Sequence, residues 1–85
     1  MKLVPGALIR IRLHPNVEQD GKKDVLVFDA RFRKQREFLD VGTQAMVIGI
    51  NPIPGMYPDV YLFVPERGFY RTNPMQVEVL WSPCE

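Results

Sequence analysis

Side chains able to carry covalent catalysis are scarce: the chain has one serine (Ser82), one cysteine (Cys84), one histidine (His14) and two threonines (Thr43, Thr72). A Ser-His-Asp or Cys-His arrangement needs nucleophile, base and orienting group held on a rigid scaffold. Ser82 and Cys84 fall in a C-terminal tail expected to fray, so no catalytic residue is assigned and an enzyme is not expected. One histidine, read as a loop-edge residue before Pro15, and one cysteine do not supply the four ligands of a zinc site. Asp20, Asp24 and Asp29 are oxygen donors, but their spacing misses the EF-hand pattern and its closing glutamate. The six glycines are isolated, which leaves no phosphate-cradling loop. No metal and no cofactor is expected.

Long hydrophobic runs are absent too. No stretch approaches the ~20 apolar residues of a membrane helix, and residues 1–6 break at Pro5-Gly6, short of a secretory core. Neither a span nor a targeting signal is expected. Charge of one sign is also missing: eleven Lys plus Arg against ten Asp plus Glu give +1, so no overall field draws nucleic acid or anionic membrane. A lone cysteine closes no internal disulfide, which fits a reducing, cytoplasmic setting.

What is present is a folded domain's balance, 46% hydrophobic and 25% charged over 85 residues, read as one domain, 1–85. A domain of this size buries only about 60% of its unfolded surface. Eight prolines, at 5, 15, 52, 54, 58, 65, 74 and 83, disfavour long helices. Between them the apolar period is two. Ile9, Ile11 and Leu13 alternate with Arg10 and Arg12; after the Asp20-Gly21 turn, residues 25–32 place Leu26, Phe28, Ala30 and Phe32 on one face. Residues 32–38 fit either a strand or one helical turn. A strand over 44–50 is read with Met46, Ile48 and Ile50 alternating with Ala45 and Val47 to line the interior. Residues 59–64 set Val60, Leu62 and Val64 against Tyr61 and Phe63. A short strand at 69–71, a tight or 3₁₀ turn at 72–75, and a last strand with Val77, Val79 and Trp81 on one face complete the chain. The expectation is all-β, five to six strands closed into a small barrel, closure being one way to remove exposed edges.

The order of these pieces resembles an SH3-like small barrel over nearly the whole chain. Pro5-Gly6 precedes a strand carrying arginines, a long first loop follows, Val41-Gly42-Thr43 opens a central strand, and a tight turn leads into Val77-Glu78-Val79-Leu80. Among stand-alone members the layout is similar to the small SH3-like subunit of photosystem I, in the Val41-Gly42-Thr43-x-Ala45 strand, and to short bacteriophage proteins with such barrels. The Ala-Leu-Tyr-type motif of peptide-binding SH3 domains is missing, so that resemblance implies no Pro-rich ligand.

Two surface segments stand out. The loop at 51–58 is apolar where a hairpin connection is ordinarily polar; Ile53, Met56 and Tyr57 would form a contact patch, or fold back over a barrel end, with Trp81 as a further candidate. A partner protein or a second copy would bind there. The other segment is basic: Arg31, Arg33, Lys34 and Arg36, interleaved with Phe32 and Phe38 and extended by Arg10 and Arg12 if their strands adjoin. Guanidinium groups on phosphates beside a stacking ring would make a nucleic-acid surface. The alternative is a solvated face with both phenylalanines in the core.

Overall fold

A computed structural model describes residues 2–14, 24–30 and 36–83. The Asp20-Gly21 turn, Arg31, Phe32, Arg33, Lys34 and Cys84 lie outside the described residues. Seven strands are present among them: β1 (Leu8–Ile11), β2 (Asp24–Asp29), β3 (Arg36–Asp40), β4 (Gln44–Asn51), β5 (Asp59–Val64), β6 (Gly68–Thr72) and β7 (Val77–Trp81). One 3₁₀ turn, Pro74–Gln76, precedes β7. The fold is all-β, as the proline spacing and the two-residue period require.

All pairings are antiparallel and run in one sheet, β3-β2-β6-β5-β4-β1-β7. The sheet is not closed, which corrects the expected barrel of five to six strands: β3 and β7 remain as edges. The added strand comes from the undecided stretch. Residues 36–40 pair back on β2, so they are strand rather than helical turn.

One core receives side chains from every strand, among them Ile9, Ile11, Val27, Leu39, Val47, Leu62, Tyr70 and Val77. The structure sets which face of three strands points inward, and corrects the sequence reading in β4 and β7. In β2 the buried residues are Val25, Val27 and Asp29, while Leu26 and Phe28 lie on the outer face. In β4 Ala45 and Val47 are buried, whereas Met46 and Ile48 are exposed. A bulge accounts for Ile50: the register jumps between Val47 and Gly49, Ile48 is the extra residue, and Ile50 thereby regains the core side opposite Val60. In β7 a second shift, between Leu8 and Ile9, brings Trp81 opposite Leu8 and out of line with Val77 and Val79. Phe38, assigned to the core in the solvated-face reading, is 59% exposed. Ser82 is buried, not frayed, because the chain after β7 continues against the body of the protein.

The Val41-Gly42-Thr43 segment forms the β3–β4 turn. Gly42 has φ +93°, the left-handed value that position three of a type II turn demands. The Thr43 amide and hydroxyl both donate to the Asp40 carbonyl, at 3.0 and 2.7 Å. The turn also ties to β1: Gly42 N donates to the Ile11 carbonyl and Ile11 N to that of Thr43, each at 2.8 Å. No helix among the described residues is long and apolar enough to cross a membrane.

Candidate interaction cleft

The 52–58 loop meets the outer face of β2 across a cleft of about 310 Å³. Its walls are Leu26 and Phe28 from β2, Ile53 and Met56 from the loop, Asp59 and Arg71 from the ends of β5 and β6, and Thr72, Asn73 and Gln76 around the 3₁₀ turn. Each wall has a local cause. Ile53-Pro54-Gly55-Met56 closes on a Met56 N to Ile53 O bond of 3.1 Å, with proline second and Gly55 at φ +75° third. That is a type II turn using the residue each position favours. It brings Ile53 and Met56 to the same cleft on a loop stiffened by three prolines.

The opposite wall is held by side-chain bonds. The Asn73 side-chain oxygen accepts from Met75 N at 2.9 Å, capping the 3₁₀ turn, and Pro74 supplies its first position. The Thr72 hydroxyl donates to Gln76 Oε1 at 2.5 Å, which fixes that amide at the cleft wall. The Arg71 guanidinium lies 5.1 Å from the Phe28 ring centroid and 3.7 Å from the Asp59 carboxylate. Phe28 pairs with Arg36 on β3 and with Arg71 on β6, so one ring stands between two arginine-bearing strands on the outer face. The result is an apolar floor with a cation and an anion on its wall.

The candidates from the sequence divide between places. Ile53 and Met56 share the cleft, whereas Tyr57, 60% exposed, does not line it and sits with Gly55 and Met56 on a separate surface depression. Trp81 is not with them; it lies on β7 opposite Leu8, away from the loop. Of the basic set, Arg36 is exposed at the start of β3. Arg10 is committed to Glu78 at 2.5 Å, the two standing directly opposite across β1 and β7. That hydrogen bond and charge pairing raise the Arg10 guanidinium pKa above its ordinary value and lower that of the Glu78 carboxyl. Arg12 Nε donates to the Met75 carbonyl at 3.2 Å. In sheet order β1 neighbours β4 and β7, not β2, so Arg10 and Arg12 do not extend the basic stretch through a shared strand pair. Leu26, Phe28, Asp59, Arg71 and Gln76 went unmarked in the sequence. Their signal was the alternation of β2, which puts Leu26 and Phe28 on one face but does not say that the face is outward.

No protein-family model, no curated protein and no solved structure matches this chain.

Proposed function

We propose that the chain is a non-enzymatic interaction module of the SH3-like type that seats a segment of a partner protein in the cleft between β2, the 52–58 loop and the 3₁₀ turn. The observation that carries it is the cleft: Ile53 and Met56, on a preset type II turn, converge on Leu26 and Phe28 with Arg71 and Asp59 at the wall. Prolines lower the entropy such a loop loses on binding, so a modest apolar contact yields net affinity. Element order supports the SH3-like reading. A first strand, a long excursion, the β4-β5-β6 meander, a 3₁₀ turn and a last strand returning to β1 follow the layout that the sequence resembles. A lone cysteine suits a cytoplasmic setting, as a subunit of a larger assembly or a phage-encoded accessory protein, and genome neighbourhood separates the two.

The test is selection from a random peptide display library on the purified protein, followed by titration of the enriched peptides. Ile53→Asp with Met56→Asp should weaken them at least tenfold, about 1.4 kcal/mol, with the fold retained by circular dichroism. Failure to enrich any sequence, or binding that ignores both changes, would overturn the reading. A nucleic-acid surface is the second reading, favoured by Phe28 standing between the strands of Arg36 and Arg71. It requires salt-dependent binding of single- or double-stranded DNA or RNA, lost on Arg36→Ala. No affinity at low salt removes it.

A further inference from the structure

Register places a second apolar surface on the outer face, at the other end of the β4–β5 pair from the loop. Met46 stands opposite Phe63, and Phe63 opposite Phe69. The two phenylalanine rings are 5.2 Å apart between centroids and tilted by 48°. On the far side of β4, Leu8 stands opposite Met46, and the β7 irregularity sets Trp81 opposite Leu8. The row is open to solvent: Phe63 36%, Phe69 42%, Leu8 43%, Met46 44% and Trp81 53% exposed, with Ile48 at 46% on its bulge.

At ordinary side-chain sizes this exposure amounts to roughly 500 Å² of apolar surface, the upper range for the largest patch on a monomer. One side of a standard protein interface buries about 800 Å², of which about 60% is apolar. The row therefore supplies the apolar share of one complete side. We propose that this face pairs with a second copy of the chain, centred on Met46.

The chemistry of the row is self-complementary. A two-fold axis lying in the interface and running along β4 sets Met46 against its own counterpart, Leu8 against the counterpart of Phe63 and Trp81 against that of Phe69. Aromatic residues and methionine are the types enriched at interface centres. The same axis leaves the strands of the two sheets nearly aligned, the common way for sheets to stack face to face. Beside the row, Arg10 is paired with Glu78 and Arg71 with Asp59 inside one chain, so these arginines bring no unbalanced charge to the interface.

The chain reports on its own assembly, because Trp81 is its sole tryptophan and lies in the row. Light scattering after size exclusion, from about 1 to about 200 µM, should show the mass rising from 9.8 kDa to twice that value, with Trp81 emission moving to shorter wavelength. Phe63→Lys should hold the mass at one chain across the range while keeping the parent's circular dichroism. Met46→Lys provides the same readout should the first variant fold poorly. Met56→Asp, in the cleft, should leave pairing unchanged, which keeps this result separate from that of the cleft. A single-chain mass at every concentration with fixed emission would overturn the proposal. So would loss of pairing in Met56→Asp but not in Phe63→Lys. Emission that shifts only when phosphatidylcholine vesicles are added would assign the face to lipid and overturn it equally.

Discussion

Tyr70 carries its hydroxyl into the edge of the core and donates it to Glu37 Oε2 at 2.9 Å. Burial first, and then the bond to that carboxylate, raise the phenol's pKa above its ordinary value of 10.0. The folded state thus resists deprotonation more than the unfolded chain does. The stabilisation is fully present below pH 10 and is lost as pH climbs from there through the raised folded value. Denaturant unfolding between pH 8 and pH 11 should show a decline in midpoint that Tyr70→Phe largely removes. At neutral pH the same variant should cost about 1 kcal/mol, the net worth of one such bond. At the acid end the sign reverses for Glu78. Its depressed pKa contributes stability above the ordinary carboxylate range, which fades as pH falls through the folded value. Both members of that pair are largely exposed, so the change should be small and should shrink with added salt.

Among the elements, the β2–β3 hairpin contains one opposition that chemistry disfavours: Asp24 faces Asp40 directly, both exposed. Like charges in register weaken a strand pair, whereas opposite ones contribute roughly 0.2–1 kcal/mol. Asp24→Lys should therefore raise the thermal midpoint, and added salt should erase most of the gain. Six of the seven strands were legible from the sequence through their period of two; β3 was not, because residues 32–38 fitted a strand or a helical turn equally. Which face turned inward was legible only where no irregularity intervened. Val60, Leu62 and Val64 in β5 followed simple alternation, but Ile48 in β4 and Leu80 in β7 each add a residue that reverses parity, and nothing local marks them as bulges. The cleft was half legible. Ile53 and Met56 announced themselves as apolar residues in a proline-rich loop, while Phe28 and Arg71 met through pairings of residues far apart in the chain.

At the level of the whole molecule a single core serves all seven strands, so unfolding should be one cooperative event. Circular dichroism and Trp81 fluorescence should report coincident transitions. Leu62→Ala, at a fully buried site in β5, should cost about 2–5 kcal/mol. That is a large share of the roughly 4–13 kcal/mol available to a domain this small. The pairing of β1 with β7, in which Arg10 finds Glu78 across 68 positions of sequence, has a temporal consequence. A ribosome adding about 5–20 residues per second releases the first strand several seconds before the last one exists. Throughout that interval Ile9 and Ile11 have no final strand beside them, and the sheet lacks the side of β1 that β7 covers. Completion thus waits until β7 has emerged, and a chain truncated before Val77 would leave the ribosome with its first strand unpaired on one side, a template for adhesion to neighbouring nascent chains.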